Sequence, residues 1–292
     1  MEREKTMRKN RGLSLWLARG LLTLLAIVLL LPMVQTFLYS FSSIPEMKAY
    51  MKTRGNRDET VWMDPHLSPH MISLGQYEQI LIKDDTVLRY FINSVIYAAA
   101  ILLGQALVIP ALAFGLSKFA FRGREALFFA VLLLMLLPFQ VTMVPNVLTL
   151  RVLGLLNTVW AVVLPMLFAP FYVFLLRQYM IALPDELLEA ASMDGAGAFR
   201  SFLRIVLPVC RPVLGAAAAL SFAESWNLVE QPLTYLSARP DLMPLSTVFN
   251  QLANENTGFE FAGAGLYILP ALLVYLFFQD DILSGIQLTE MK

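Results

Sequence analysis

Five long runs without a charged side chain constrain this sequence more than any other feature. They lie within Arg19–Glu46, Tyr90–Ser117, Ala126–Leu150, Val152–Leu176 and Phe261–Gln279. A helix needs about 20 apolar residues to cross roughly 30 Å of hydrocarbon, and each run is long enough. A backbone in lipid must satisfy its own hydrogen bonds, so helix is the expected state of each. The composition agrees: 58% of the residues are hydrophobic, against about 45–50% in soluble domains. A sixth stretch, Pro212–Pro232, begins apolar and then carries Glu224, Asn227, Glu230 and Gln231. Counting it closes the topology as an all-α, polytopic membrane protein. It has six transmembrane helices and both ends on one side.

The basic residues orient this bundle. Arg3, Lys5, Arg8, Lys9, Arg11 and Arg19 precede or open the first run. Lys118, Arg122 and Arg124 follow the second, and Arg177, Arg200, Arg204 and Arg211 surround a polar stretch after the fourth. The short loops on the other side offer only Arg151 and Arg239. The excess of Lys and Arg in cytoplasmic loops then puts both termini and the polar stretch in the cytoplasm of a cell (inner) membrane. The basic start followed by an apolar run resembles a signal peptide. The run is too long, however, and Phe41-Ser42-Ser43-Ile44-Pro45 is a poor cleavage site, so an uncleaved first helix is expected. The formal net charge is zero, which gives no case for a nucleic-acid partner.

The expected division is residues 1–41 for the tail and first helix, 42–88 for an extracytoplasmic loop, 89–281 for the transmembrane core and 282–292 for a cytoplasmic tail. The loop 42–88 reads as a small cap or hairpin. His66 and His70 within it read as ordinary loop residues rather than a metal pair. Pro69 breaks the helix that would put them on one face, and no further ligands accompany them. The single cysteine, Cys210, excludes an intramolecular disulfide and suits packing at the start of a helix. Pro110, Pro138, Pro145, Pro165, Pro170 and Pro270 lie inside spans. Each removes a helical hydrogen bond and tends to kink its helix.

The polar stretch, residues 183–208, has the pattern of two short helices bent around glycine. Asp185 and Glu186 suit a first turn, where negative charge meets the positive end of the helix dipole. Leu187, Leu188, Ala190 and Ala191 give the first helix a small apolar side. Gly195 and Gly197 allow a tight turn. A second amphipathic helix follows from about Ala198, with Phe199, Phe202, Leu203 and Val206 apolar and Arg200, Ser201 and Arg204 polar. Such a knob fits a groove on another protein or lies on lipid headgroups. Spacing alone leaves both readings open.

Glu189-Ala190-Ala191, then Gly195, Ile205 and Leu207-Pro208, match in every spacing the cytoplasmic "EAA" motif of permease subunits in ATP-binding-cassette importers. Further segments resemble the carbohydrate branch of that class, the group similar to the maltose permease G protein. They are Asn93-Ser94, Leu116-Ser117-Lys118-Phe119, Pro138-Phe139-Gln140-Val141-Thr142, Gly154-Leu155-Leu156-Asn157-Thr158 and Phe174-Leu175-Leu176-Arg177-Gln178. The likeness covers about residues 85–279.

This resemblance implies a type I importer permease fold and a set of partners. A second, homologous permease subunit would enclose the pathway with it in the lipid bilayer. Two cytoplasmic ATPase subunits, which would hold the ATP and Mg, would grip the 183–208 stretch of each permease subunit. An extracytoplasmic solute-binding protein would deliver a sugar. Gly195 would supply the bend, Glu189 a polar anchor, and Ala190 and Ala191 close packing, with Asp194, Ile205, Leu207 and Pro208 completing the coupling loop. Two departures stand out. Leu228-Val229-Glu230 replaces the Asp that many relatives carry after Trp-Asn. Asp280-Asp281 replaces basic residues after the final Phe-Phe-Gln.

No cofactor is expected in this chain and no enzymatic activity. The sequence has no Gly-x-x-x-x-Gly-Lys-Ser/Thr loop to cradle phosphates. Leu283-Ser284-Gly285-Ile286-Gln287 resembles an ATPase signature by coincidence. Glu224, Asn227 and Gln231 are spaced to share a helix face, with Trp226 beside them and Gln140 as a further candidate. Ionisable groups inside a membrane usually face a bundle interior or a wet cavity. This polar stripe therefore reads either as facing the pathway or the partner permease, or as meeting water at the outer surface. The outer segment, about Ser237–Phe259, would by resemblance reach the binding protein through Asn250, Gln251, Asn254, Glu255 and Asn256. Importer cargo other than sugar, and an ion-gradient-driven carrier, are the alternative readings.

Overall fold

The structure, a computed structural model, describes residues 2–55, 69–83, 85–248 and 259–290. Among them the chain is helical, with a single isolated antiparallel bridge between Ser42 and Ile72. His66 and the polar residues 250, 251 and 254–256 lie outside the described residues. The helices in order are α1 (Glu2–Tyr39), α2 (Ile44–Gly55), α3 (Gly75–Glu78), α4 (Asp85–Lys118), α5 (Arg124–Leu136), α6 (Phe139–Val152) and α7 (Val159–Met166). After them come α8 (Pro170–Ile181), α9 (Glu186–Met193), α10 (Ala198–Val209), α11 (Arg211–Trp226), α12 (Glu230–Tyr235) and α13 (Glu260–Glu290). Four stretches are long and apolar enough to cross a membrane: Ala18–Tyr39, Asp85–Lys118, Val159–Ile181 and Glu260–Ile282. The number rises to six if each of two bent pairs is one span.

Both bent pairs modify the expectation from sequence. Residues 126–150 form two helices, α5 and α6, that meet at 107°. Leu137 is extended, at φ −78° and ψ 120°, as a residue before proline must be, and Pro138 then opens α6. The fourth span begins at Val159 rather than Val152, because Gly154 and Asn157 both take positive φ and turn the chain there. Proline otherwise matters little to helix continuity: α4 runs through Pro110 and α13 through Pro270. The second pair, α10 and α11, bends by 76°. Sixteen residues of α11 reach about 24 Å, so this helix alone falls short of a full crossing.

The chain divides into two compact units, Met1–Asp85 with Gln251–Leu266, and Thr86–Asn250 with Tyr267–Lys292. In the first unit, the described part of the 42–88 loop contains α2, α3 and a π-helical turn (Gln79–Lys83), with an irregular stretch at 69–74 that carries the bridge to Ser42. The buried Gln76 amide donates to the carbonyls of Tyr39 (2.8 Å) and Ser42 (3.0 Å) and accepts the Ala262 N–H (3.2 Å). Tyr39 packs edge-on to Phe261 and against Tyr50. The apolar side chains of α1 from Leu21 to Leu31 are exposed, as a lipid-facing helix requires.

The second unit has two main apolar cores. One, near the cytoplasmic end, joins α4, α8, α10 and α11 through Phe114, Tyr172, Leu176, Phe202, Val206 and Val213. The other, nearer the outer end, gathers Tyr97, Ile101, Val162, Val163, Leu228 and Leu236. α4 approaches the end of α7 closely at Gly104, where an added Cβ would displace the Leu167 side chain.

Candidate coupling knob and polar sites

The stretch after α8 folds as the glycine-bent pair its spacing suggests. α9 ends in a Schellman turn: the Gly195 N–H donates to the Ser192 carbonyl (3.0 Å) and the Ala196 N–H to the Ala191 carbonyl (2.9 Å). Gly195 sits at φ 78°, a left-handed conformation that costs a residue with a Cβ about 1–2 kcal/mol. Ala198 then starts α10. Its middle, Phe202–Val206, is a wide π-helical turn.

The two short helices do not present the single apolar sides expected. On α9, Ala191 is buried and Leu188 packs against the cytoplasmic core, while Glu189, Ala190 and Leu187 point outward. On α10, Phe202 and Val206 enter that core, but Phe199 and Leu203 do not, and the polar Ser201 is buried. Phe199 belongs to the first turn of α10. The tip of the knob therefore exposes two large apolar side chains, Met193 at 90% and Phe199 at 74%. Asp194 is exposed beside them, whereas Ile205 and Leu207 are half-buried at the base and Pro208 is exposed there.

Lys118 ties this knob to the end of α4, and Arg177 ties that helix end to α5, roles that counting basic residues for topology does not reveal. Lys118, at the end of α4 with its side chain 7% exposed, donates to the Leu183 carbonyl (2.7 Å) and the Asp185 carboxylate (2.6 Å). Asp185 thus serves the lysine and makes no side-chain cap to α9. Arg177 of α8 has its side chain 6% exposed. Its Nε donates to the Leu116 carbonyl (3.0 Å), one Nη to Glu125 of α5 (3.2 Å), and its guanidinium lies 3.6 Å from the Phe128 ring centre. The usable signal was that Lys118 and Arg177 directly end or interrupt apolar runs.

The polar residues of the fifth span separate. Glu224 and Asn227 belong to α11 and its end, but the helix stops at Trp226, and Gln231 lies on α12 beyond a break. The three side chains therefore do not form one stripe. Glu224 is exposed, with the buried Tyr172 hydroxyl of α8 near its carboxylate. Asn227 accepts from the Tyr267 hydroxyl (2.6 Å) and donates to its own helix at Ala223 (2.8 Å). Trp226 is stacked on Tyr267 and Phe222, and its indole N–H donates to the Tyr267 carbonyl (3.0 Å). Gln140 of α6 donates to both carboxylate oxygens of Glu230 (3.1 Å each).

A cavity of about 510 Å³ lies against α4, α8, α11 and α13, with Gln105, Tyr172 and Ser221 toward one end and Arg211 and Asp281 toward the other. Gln105 was unremarked within its apolar run. It accepts from the Ser221 hydroxyl and donates to the Met166 carbonyl (2.7 Å), where the fourth span breaks between α7 and α8. Backbone freed at membrane depth needs such a partner. Gly215 of α11 allows the Asp281 carboxylate to lie against it, since a Cβ there would meet Oδ2 at 2.3 Å.

Among the described residues no three His, Cys, Asp or Glu side chains gather as a metal site. The segment 283–287 lies inside the continuous helix α13. Its backbone N–H groups are engaged in the helix and are not free to cradle a phosphate.

Comparison with known proteins agrees with this architecture. Residues 106–282, more than half of the chain, match the family described as "Binding-protein-dependent transport system inner membrane component". The chain is 29% identical over 288 residues to the arabinooligosaccharides transport system permease protein AraQ of Halalkalibacterium halodurans, covering 98% of this chain and 99% of that one. It is 29% identical over 277 residues to the diacetylchitobiose uptake system permease protein NgcG of Streptomyces coelicolor (92% and 86%). It is 33% identical over 214 residues to the probable ABC transporter permease protein YurM of Bacillus subtilis (70% and 69%). Its fold is similar to a crystal structure of a bacterial ABC transporter involved in import of the acidic polysaccharide alginate. There the TM-score is 0.76 at 22% identity, over 90% of this chain and 94% of that chain. The chain belongs to the family of inner-membrane components of binding-protein-dependent transport systems, multi-pass transport subunits rather than enzymes.

Proposed function

We propose that this permease forms half of the pathway of an ATP-driven importer of oligosaccharides, and that residues 183–208 couple it to a separate ATPase. The observation that carries the coupling is the knob itself. A left-handed Gly195 turn lifts Met193 and Phe199 away from the bundle, while Lys118 and Arg177 brace its base and the neighbouring helix ends. Large apolar side chains at a projecting tip are the anchors that a groove on a partner takes up. Glu189 and Asp194 form the polar rim, Ala190 permits close approach, the buried Ala191 seats α9 on its own bundle, and Ile205, Leu207 and Pro208 join the knob to α11. A push on the tip would be passed through Phe202 and Val206 into the core shared with α4, α8 and α11, a rigid-body mode of alternating access.

The cargo reading is supported by the names of relatives, among them permeases for arabinooligosaccharides and diacetylchitobiose. In this reading the second permease subunit supplies the other half of the pathway. Glu224, and Gln140 paired with Glu230, are its polar contacts in this chain. Asn227 is given a bracing part, because both ends of its amide are engaged. Gln231 stands on a separate helix.

The test is co-purification of the intact complex from membranes. Wild-type chain should retain an ATPase, and a chain with Met193→Ser and Phe199→Ser should lose it while staying folded. Equal retention by both would defeat the coupling assignment. Uptake of labelled arabinotriose, with amino-acid and peptide uptake as controls, tests the cargo.

A further inference from the structure

The cavity against α4, α8, α11 and α13 has no part in the knob. Its volume of about 510 Å³ falls within the roughly 300–1,000 Å³ of small-molecule sites. The polar groups at its inner end are already engaged. Gln105 and Ser221 bond one another, Gln105 also bonds the Met166 carbonyl, and the Tyr172 hydroxyl lies near Glu224. Between the two ends the lining is apolar, with Ile109, Leu176, Leu214 and Phe278. The rim is apolar too: α4 exposes Leu103 and Leu107 beside it, and Phe277 of α13 is 78% exposed. A molecule rich in hydroxyls finds few free partners inside, whereas a hydrocarbon chain needs none. The cytoplasmic end differs, because Arg211 and Asp281 stand there. Arg211 opens α11, and Asp281 lies near the end of the apolar stretch Glu260–Ile282. Gly215, one turn along α11 from Arg211, lets the Asp281 carboxylate rest on that helix. Opposite charges therefore occupy neighbouring positions on one helix face. Among the described residues neither is engaged in an ion pair or a hydrogen bond, with the other or with any third group.

We propose that this cavity seats an acyl chain of a phospholipid whose headgroup carries a primary ammonium, with Arg211 donating to its phosphate and Asp281 accepting from its ammonium. The bilayer itself brings such a molecule to an opening with an apolar rim. The chain alone gives no preference, because lipid tails are as apolar as the lining. It does restore the contacts that an empty apolar space forfeits. Selection comes from the headgroup. A guanidinium matches the geometry of a phosphate, and a carboxylate takes a short charge-assisted bond from an ammonium that still bears N–H. The position of Asp281 narrows the choice further. It stands at the cytoplasmic leaflet, whose negative surface potential favours cations. A carboxylate there gains from a zwitterion that carries its own cation, and not from an anionic lipid. A quaternary ammonium brings the charge but no N–H to donate.

The test separates headgroup from chain. The intact complex is reconstituted in nanodiscs with equal parts of phosphatidylethanolamine, phosphatidylcholine and phosphatidylglycerol, all with the same acyl chains. Lipid retained after mild detergent extraction is identified by native mass spectrometry. Wild-type complex should retain phosphatidylethanolamine about tenfold in preference to either other lipid. Asp281→Asn should erase that preference while phospholipid is still retained. Arg211→Gln should lower retention of all three. Ala218→Phe, which fills the cavity and leaves both charges in place, should abolish retention, and its unfolding transition checks that the fold survives. Equal retention of the three lipids by wild type would overturn the proposal, as would a preference that persists in Asp281→Asn or undiminished retention in Arg211→Gln. Efficient cross-linking of a Phe277→Cys thiol to another membrane subunit would also overturn it, because the cavity would then belong to that subunit.

Discussion

At the cytoplasmic end of the second unit, Lys118 and Arg177 brace the structure with charge, reaching both carbonyls and carboxylates. At the outer end, Asn93, Ser94, Tyr97 and Asn157 brace it with neutral groups that bind main chain. The contrast extends to what is held. The knob is pinned at its base and bare at its tip, whereas the 236–245 stretch is pinned along its length. A lever needs a free end on a fixed root. The same bundle thus carries a projecting element and a stretch held fast, distinguished by where the hydrogen bonds fall.

Removing the cytoplasmic brace should have the largest effect. Arg177→Met leaves the buried Leu116 carbonyl without its donor and loses the contact with Phe128, so it should lower stability by about 2–3 kcal/mol. The exposed Glu125 contributes little to that figure. Unfolding of the purified complex in detergent measures it, and an unaltered transition would dissolve the contrast. Gly195→Val comes next, with about 1–2 kcal/mol of backbone strain confined to the knob. ATPase retention should drop about tenfold, while the unfolding transition moves less than in Arg177→Met. The reverse order would mean that the turn serves the fold rather than the partner.

Asp185→Ala should cost only about 0.5 kcal/mol, and less in high salt, because its carboxylate is exposed and Lys118 keeps the Leu183 carbonyl. A salt-independent loss would show the pair to be more than a surface contact. The smallest effect concerns pH. The hydrogen bond from Arg239 holds the Asp241 carboxyl below the usual carboxylate range. A lowered pKa means that the ionised pair persists above that range and is lost only as pH falls beneath it. The unfolding transition of an Asp241→Asn variant should therefore differ from that of the wild type by the same small amount at pH 7 and at about pH 5. A difference that vanishes over that interval would show the carboxyl to titrate in its ordinary range.

The sequence foretold the framework and missed the joints. Apolar runs locate the spans because the bilayer demands about the same length of every helix, and the Gly195 turn is legible because few residues take its backbone angles. The end of α11 at Trp226 was not legible. Asn227 satisfies its amide locally at Ala223, which no spacing reveals, and Gln231 was assigned to the wrong helix in consequence. Phe199 read as sharing one apolar side with Phe202 and Val206 because its spacing to them is helical, yet it precedes the wide turn and, unlike them, stays exposed. Lys118 and Arg177 were visible only as positive charge. Gln105 was hidden in an apolar run, although a lone amide there signals a backbone break elsewhere that needs a donor.

The most direct test of the central claim is a Met193→Cys substitution in the assembled transporter. The native cysteine, Cys210, is fully buried, so the new thiol at the knob reports alone. The account predicts that it cross-links to a nucleotide-hydrolysing subunit and is shielded from membrane-impermeant reagents added outside the cell. Labelling from outside, or a thiol that stays free of any such subunit in the intact complex, would contradict it.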